Sequence, residues 1–318
     1  MTVSGADVAR AAGVSRAAVS QILNGKGERF AAETRARVLE VAQAMAYRPA
    51  AAGRALRRGT SDVVVALVGH TTFGGHHQDL IDALSAELAQ QGLLLVVRYA
   101  GGGPTTLEPF LAALQPAALL SLSGLTPDDA ETADRVGVVL VGRPPAGKVA
   151  GPGAQDEVGS LQAQHLYERG HRTLAYARVR DSRQDLYGSL REEGFRHRAD
   201  ELGLPTPRQV LVTFDVDGAV ADTDLPTPVA LGCYNDDVAL ALLHAAHRTG
   251  RRVPAEVALV GVDDTVLGRS SWPRLTSIGY DITVIARTLA ARTFAALGIE
   301  SPLAPPPIRY VVRQGETT

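Results

Sequence analysis

Residues 7–25 read DVARAAGVSRAAVSQILNG, a run of alanine and valine that Gly13 interrupts and Ser15 restarts. Glycine readily adopts the left-handed conformation that closes a helix, and serine caps the first turn of the next helix. The stretch therefore predicts a helix over residues 6–12 and a second one from Ser15 to about Asn24. A third helix is indicated by apolar residues that recur with the helical period: Val38, Val41, Ala42 and Met45.

Two short helices joined by a glycine turn form a helix-turn-helix, whose second helix enters the major groove of DNA. We expect six small or apolar side chains to pack inward: Val8, Ala9, Ala12, Val14, Val19 and Leu23. The second helix then presents three side chains to the base edges. Arg16 suits guanine, Gln21 suits adenine, and Ala17 suits the thymine methyl group. Serine side chains bind phosphates. The predicted DNA contacts of this helix are Ser15, Arg16, Ala17, Ser20, Gln21 and Asn24. An ordinary helical bundle explains the same spacing, so that alternative stays open.

The net charge of −2 is unevenly distributed. Residues 1–60 contain ten Lys and Arg and four Asp and Glu, which gives a charge of +6. The rest of the chain contains 22 Lys and Arg and 30 Asp and Glu, which gives a charge of −8. A basic head on an acidic body indicates a polyanionic partner for the head alone. A basic surface that is merely solvated gives the same counts.

The length and composition of the chain limit the classes of protein to which it can belong. A chain of 318 residues with 45% hydrophobic and 21% charged residues is globular, and its length predicts two or three domains. No apolar run reaches the roughly 18 residues of a membrane helix, and the start of the chain lacks the apolar core of a secretory signal. The single cysteine, Cys233, fits a reducing compartment. We therefore expect a cytoplasmic protein without contact to a membrane.

From residue 62 the pattern changes to alternating strands and helices. Strands are predicted at 62–69, 93–99, 117–122, 136–142, 173–179, 209–214, 228–234, 257–262 and 308–314. Helices are predicted at 79–92, 105–114, 157–169, 186–202, 236–249 and 281–297. Helices between apolar strands imply parallel sheets covered on both faces, and two such sheets fit in this length.

The order of motifs resembles the LacI-type (lac repressor) family of bacterial transcription regulators. The resemblance begins with the opening stretch, continues through ETRARVLEVAQAMAYRP and AAGRALRRG, and includes four motifs of the body: GHRTLAYA, YNDDVALALLHAAHRTGRRVPAEVALVGVDD, PRLTSI and VVRQG. It implies an N-terminal all-α helix-turn-helix head followed by a periplasmic-binding-protein-like α/β core, in which two parallel-sheet lobes are joined by crossover segments. The implied domains are a head at 1–47, a hinge helix and linker at 48–60, and an effector-binding and dimerisation core at 61–318. Within the core, lobe 1 takes about 61–155 and 280–299, and lobe 2 takes about 156–279 and 300–318.

The hinge segment, residues 50–58, is implied by the resemblance to fold on operator DNA. Leu56 stands where the family has a leucine wedged into the minor groove, and an apolar wedge of this kind unstacks a base step. Arg54 and Arg57 flank it to bind phosphates. The alternative is that Leu56 packs this helix onto the body. Two head positions depart from the family: Gln21 replaces a common arginine, and Ala31 replaces the usual helix-capping serine.

Ligands of parallel α/β sheets bind at the carboxyl ends of strands. That rule and the resemblance together give the predicted effector contacts Phe73, His76, His77, Asp156, Arg191, Asn235 and Asp263. Their carboxylates, amide and arginine suit a ligand rich in hydroxyl groups, such as a sugar or a derivative. Structural alternatives stay open: Asp263 caps the segment after it, Asn235 caps the helix after it, or Arg191 pairs with a neighbouring glutamate.

The expected function is that of an effector-responsive regulator, most simply a repressor, that binds a palindromic operator as a homodimer. The short end of the chain after the last strand favours a dimer, with helix faces near 79–92 and 281–297 as interface candidates. No enzyme signature is present, and we expect no cofactor. The alternative is a solute-binding protein of the same clamp fold without a DNA function.

Two weaker motifs remain. Histidines at 70, 76 and 77 with Asp79 resemble a metal site, but ligands bunched on one loop argue against it, and we expect no metal. The segment 215–224, DVDGAVADTD, resembles a calcium loop but lacks the closing glutamate. It is interpreted as a solvated loop.

Overall fold

The computed structural model describes residues 3–23, 27–45, 47, 61–68, 75–99, 107–122, 127–142, 155–181, 185, 187–215, 218–221 and 227–318. The chain divides into two compact units, Met1–Asp62 and Val63–Thr318. The first unit is the head, and the second is the body.

Three helices are found among the described residues of the head: α1 (Gly5–Ala12), α2 (Arg16–Leu23) and α3 (Ala32–Ala44). Gly13 closes α1 in the left-handed conformation with φ 67°, and the Ser15 hydroxyl accepts a hydrogen bond from the Ala18 amide at 3.1 Å. The predicted turn and cap are confirmed. Ala31 precedes α3 without a side-chain cap, as its missing hydroxyl predicts.

The core of the head is formed by Val8, Ala9, Ala12, Val19, Ile22, Val38 and Ala42. Four of the six predicted inward residues are among them, whereas Val14 and Leu23 are only partly buried. Both nevertheless pack against this core, and Ile22, which the sequence did not single out, is buried in it. Ile22 lies four residues after Ala18 and three after Val19, so these three share one face of the helix and Leu23 lies at the edge of that face.

The first lobe of the body contains, in chain order, β1 (Val63–Val68), α4 (Gly75–Ala89), β2 (Leu94–Tyr99), α5 (Leu107–Leu114), β3 (Ala118–Ser121), α6 (Pro127–Arg135) and β4 (Val139–Leu140). The second lobe continues with α7 (Gln155–Glu168), β5 (Leu174–Val179), α8 (Gly188–Glu201), β6 (Arg208–Asp215), β7 (Gly218–Ala221), β8 (Val229–Cys233), α9 (Asp236–Arg248), β9 (Val257–Val262), α10 (Val266–Ser270) and β10 (Thr276–Gly279). The chain then forms α11 (Ile282–Ala296) and β11 (Val311–Arg313).

The two sheets have the strand orders β2-β1-β3-β4 and β11-β10-β9-β8-β5-β6-β7. All pairs of the first sheet are parallel, and the second is parallel except at its two edges, β7 and β11. In the first lobe, α4 and α11 cover one face and α5 and α6 the other. In the second lobe, α9 covers one face and α7 with α8 the other. The predicted fold of two lobes, each with helices on both faces of its sheet, is confirmed.

The chain reverses its direction across each sheet at one place, between β1 and β3 and between β5 and β8. Ligands of such sheets bind outside the carboxyl ends of the strands at this reversal. In the second lobe this point lies just after Val179 and Cys233. Applied to the observed topology, the strand-end rule therefore gives a candidate cleft at the ends of β5 and β8.

Three sequence interpretations need correction. Residues 218–221 are not loop: they form β7, which pairs antiparallel with β6 in the register Val212↔Ala221. A short edge strand of small residues has too little apolar periodicity to be recognised in the sequence. The helix α6 was not predicted, because its sequence PDDAETADR is polar on most of its surface. The apolar helix faces near 79–92 and 281–297, expected as interface candidates, are instead part of the core, since α4 and α11 pack on each other in one cluster.

Candidate DNA-reading head and effector cleft

The outward face of α2 carries the predicted base contacts. Arg16 and Ala17 are exposed at its first turn, and Ser20 and Gln21 are half-buried one turn later. Ser15 is exposed, and its hydroxyl oxygen caps α2 while the O–H remains a donor suited to a phosphate. The helix therefore presents its amino-terminal residues outward while its other face holds the core of the head.

Gln21 has a partner that the sequence did not reveal. Its side-chain oxygen accepts a hydrogen bond from Arg29, in the loop between α2 and α3. Gln21 lies on α2 and Arg29 lies beyond its end, so no helical periodicity relates the two and no local signal indicates this contact.

Some predicted contacts lie outside the described residues. They are Asn24 in the head, Arg54, Leu56 and Arg57 in the hinge, and Phe73 in the first loop of the body, together with the side chain of His76. His77 is half-buried on the first turn of α4. These assignments stay predictions.

Arg191, on α8, is the centre of a polar cluster at the carboxyl edge of the second sheet. It is only 5% exposed. Its Nε donates to Gln155 Oε1 at 2.8 Å, and a second nitrogen donates to the carbonyl of Tyr234. The guanidinium lies 5.0 Å from the ring centroid of Tyr234 and 5.7 Å from that of Tyr187. Arg191 is thus held between two aromatic rings.

The alternative of a surface ion pair for Arg191 is wrong. The neighbouring Glu192 instead accepts a hydrogen bond from Arg178 at 3.2 Å, and that arginine also binds Asp185 at 2.5 Å. Burial is the largest influence and opposes the charge of Arg191, but the surrounding acidic groups, the Asp263 carboxylate first among them, together raise the pKa of Arg191. The guanidinium therefore stays charged inside the body.

Asp263 follows the carboxyl end of β9. Its backbone has φ 101°, in the left-handed region that a non-glycine residue rarely occupies. Its Oδ1 accepts a hydrogen bond from the Tyr280 hydroxyl at 2.9 Å. The alternative that Asp263 caps the next segment is wrong, because α10 is capped by the Thr265 hydroxyl, which accepts from the Gly268 amide at 3.1 Å. Asp263 thus combines a rare backbone conformation with a side chain that is bonded to Tyr280.

Asn235 follows the carboxyl end of β8 and is buried. Its Oδ1 accepts a hydrogen bond from the Val238 amide at 3.0 Å, so it caps α9. The structural alternative is therefore confirmed, and an effector contact through Asn235 stays a prediction.

A cavity of about 540 Å³ lies beside this cluster. It is lined by residues of both lobes, of which the charged or polar ones include Asp79, Asp237, Asp263, Asp264, Arg269, Tyr280 and Asp281. Among the predicted effector contacts that the structure describes, Asp263 is the one in its lining. Burial and then repulsion by Asp263 raise the pKa of Asp237. The cavity is strongly acidic and suits ligands that donate hydrogen bonds.

Asp156 is placed differently from expectation. It lies exposed on the first turn of α7, and the neighbouring Gln155 is the residue that binds Arg191. Four residues near the cleft were missed from the sequence: Gln155, Tyr187, Tyr234 and Tyr280. Tyr234 and Tyr280 each come directly after a strand, so the strand-end rule applied to aromatic residues finds both.

A metal centre finds no support in the described part of the chain, where no group of three or more His, Cys, Asp or Glu side chains is arranged to hold an ion. Within the same residues, no helix is both long and apolar enough to traverse a bilayer.

A helix-turn-helix head joined to a two-lobed receptor defines a class of protein, the ligand-responsive DNA-binding regulators. Residues 6–50 match the family model "Bacterial regulatory proteins, lacI family", and residues 163–315 match the model "Periplasmic binding protein-like domain". The HTH-type transcriptional regulator GalR of Escherichia coli (strain K12) is 30% identical over 320 residues, which cover 93% of this chain and 90% of GalR. The chain belongs to the lacI family of bacterial regulatory proteins.

A second regulator is similar in sequence, and a solved structure is similar in fold. The HTH-type transcriptional repressor PurR of Vibrio parahaemolyticus serotype O3:K6 (strain RIMD 2210633) is 29% identical over 86% of this chain and 85% of its own. A solved structure of the lac repressor bound to ONPG in the repressed state covers both chains fully with a TM-score of 0.77 at 20% identity, a likeness of fold. The protein is therefore a DNA-binding, effector-responsive transcription regulator and not an enzyme.

Proposed function

We propose that this regulator acts as a cytoplasmic repressor that binds a palindromic operator as a homodimer. In this proposal residues 1–47 read the half-site, 48–60 form the hinge, and 61–318 bind the effector and the second subunit. The observation that carries it is the outward face of α2, where Arg16 and Ala17 are exposed beside Gln21. Base contacts by Arg16, Ala17 and Gln21 and phosphate contacts by Ser15, Ser20 and Asn24 are part of the proposal, as are hinge contacts by Arg54, Leu56 and Arg57.

We also propose that the effector is a sugar or a similar hydroxyl-rich molecule bound between the lobes. The acidic cavity offers carboxylates as acceptors for hydroxyl groups, and Tyr280 offers an aromatic face of the kind that packs against a sugar ring. The proposed contacts are Phe73, His76, His77, Asp156, Arg191, Asn235 and Asp263.

The proposed coupling is a population shift between two arrangements of the lobes. Effector binding changes the separation of the two hinge segments in the dimer and so the operator affinity, by a coupling free energy of about 1–3 kcal/mol. The link between the lobes is already visible in the body, where the Tyr187 hydroxyl donates to the carbonyl of Leu122 at 2.9 Å. Because this bond joins the carboxyl edges of the two sheets, closure around a ligand acts on it directly.

The test is selection of operators from a library of randomised palindromic duplexes by the full chain, followed by gel-shift measurements on the selected duplex. We expect one palindrome to be enriched and Arg16→Ala to lose discrimination at one base of each half-site. Leu56→Ala is expected to weaken the selected operator more than unselected DNA. Absence of any sequence-selective shift would show that the head does not read DNA in the proposed way, and thermal-shift screening of sugars tests the effector separately.

A further inference from the structure

The loop between α2 and α3 is fixed in place by contacts on both sides. Gly27 is buried, and a Cβ there would lie 3.2 Å from the Ile22 Cα, so the loop lies directly against α2. From the other side Arg35 of α3 donates to the carbonyl of Phe30 at 2.9 Å, and the Phe30 amide donates to the Gly27 carbonyl at 2.9 Å. The loop therefore holds Arg29 at a defined position beside the reading face of α2.

Two contacts orient the Arg29 side chain itself. Its guanidinium carbon lies 5.0 Å from the centroid of the Phe30 ring, and its Nη2 donates to Gln21 Oε1. An arginine has donors only, so the atom of the Gln21 amide that faces it is necessarily the oxygen. The amide of Gln21 is thus fixed in one of its two orientations.

This orientation changes what Gln21 is able to read. A glutamine recognises adenine by accepting from the N6 amine with its oxygen and donating to N7 with its nitrogen. In this head the oxygen is already bonded to a guanidinium, whose positive charge also repels the hydrogens of the adenine amine. The amide nitrogen of Gln21 remains a donor, and together with the adjacent guanidinium it favours a base edge that has acceptors alone. In the major groove guanine has that edge, with N7 and O6.

We propose that Arg29 is a positioning residue that switches Gln21 from adenine to guanine recognition. The proposal rests on the proposed function, since it requires α2 to contact base edges, and it replaces the adenine preference that Gln21 has as a lone side chain. Arg29 and Gln21 act as one reading unit built from a helix and a loop.

The experiment repeats the operator selection with the full chain, its Arg29→Ala, Arg29→Lys and Gln21→Ala variants, and Arg10→Ala as a control. Arg10 pairs with Asp7 on α1 at 3.3 Å, so its replacement removes the same charge from the head without changing the α2 face. For the unmodified chain we expect guanine at one position of each half-site. Arg29→Ala is expected to change that preference toward adenine by about tenfold, the effect of one well-formed bidentate pair. Arg29→Lys, which also donates to the Gln21 oxygen, is expected to retain guanine.

The control variant is expected to weaken binding to all sequences evenly, as loss of a general electrostatic contact does. Circular dichroism melting of each variant checks that the head is folded. If Gln21→Ala changes one position of the selected site and Arg29→Ala leaves that position unchanged, the proposal is overturned while the proposed function stands. If a palindrome is selected but Gln21→Ala changes no position of it, Gln21 reads no base and the proposal is overturned as well. If the unmodified chain selects no palindrome, the proposed function itself fails.

Discussion

Asp236 is a carboxyl group buried beneath the start of α9. Its Oδ1 accepts from the Ser277 hydroxyl at 2.6 Å, and its Oδ2 accepts from the amide and the hydroxyl of Thr265 at 2.7 and 2.9 Å. Burial, and next the charge of Asp263, raise the pKa of Asp236 to about 7, because these hydrogen bonds only partly replace lost hydration. The side chain connects three elements of the second lobe, α9, β10 and the cap of α10.

The raised pKa of Asp236 makes the stability of the protein depend on pH in a defined direction. A carboxyl whose pKa is higher in the folded than in the unfolded state binds more protons when folded, so stability falls as pH rises from about 4 to about 7. We expect Asp236→Asn to flatten the decrease in the free energy of unfolding over that range, by up to about 4 kcal/mol. The measurement is urea unfolding of both proteins at several pH values. Asp200→Asn, at an exposed carboxylate on α8, is the control, and an equal slope in Asp236→Asn and the unmodified chain would contradict the assignment.

At the scale of elements, α7 and α8 cross so closely that glycine is required on both helices. A Cβ at Gly159 would lie 1.8 Å from the Arg191 carbonyl oxygen, and one at Gly194 would lie 2.0 Å from the Asp156 carbonyl oxygen. Both obstacles are backbone atoms, which do not move aside as a flexible side chain does. The two glycines therefore set the distance between the helices that carry Gln155 and Arg191.

We expect Gly194→Ala to destabilise the body by about 2–3 kcal/mol, because the helices must separate and lose packing. Alanine is intrinsically the better helix former by about 1 kcal/mol, so propensity alone predicts the opposite sign. Chemical unfolding measures the difference. Glu193→Ala, at the exposed neighbouring position, is expected to change stability by less than about 0.5 kcal/mol. A Gly194→Ala variant as stable as the unmodified chain would show that the helices adjust without cost.

At the scale of the whole molecule, the arrangement of the lobes depends on a few polar links. We expect Tyr187→Phe to leave the Leu122 carbonyl without its donor and to destabilise the observed arrangement of the two lobes by about 1–2 kcal/mol. Small-angle X-ray scattering of the ligand-free chain should then give a larger radius of gyration. Tyr176→Phe is the matched control, since the buried Tyr176 hydroxyl has no hydrogen-bond partner and its removal breaks no link. Equal radii for all three proteins would show that the bond does not hold the lobes.

Dimerisation is the second prediction at this scale. Large apolar side chains are exposed close together in sequence on the second lobe: Val266 at 67%, Leu267 at 69% and Trp272 at 80%. A patch of this kind on a regulator that is proposed to bind palindromes suits a second copy of the chain. We expect Trp272→Asp, at the most exposed of the three side chains, to give a monomer in analytical ultracentrifugation and to lose cooperative operator binding. Leu94→Asp, 60% exposed in β2 of the other lobe, is expected to remain a dimer, and the reverse result would place the interface on the first lobe.

Features that depend only on neighbouring residues can be read from the sequence of this protein. Gly13 and Ser15 divide the head because a left-handed closure and a serine cap are local events. The apolar run of β9, residues 257–262, is predicted to the residue because a strand buried on both faces is apolar throughout. The motifs that indicated the family are likewise continuous stretches of chain.

Contacts between side chains that are distant in the sequence follow instead from the packing of whole elements. Arg191 binds Gln155, 36 residues away, instead of the glutamate beside it, Tyr280 binds Asp263, and Arg29 turns the amide of Gln21. Each of these contacts joins two different elements, and its geometry depends on how closely those elements pack and where a loop is held. A sequence pattern has the period of one helix or one strand, so it carries no information on the distance between two of them.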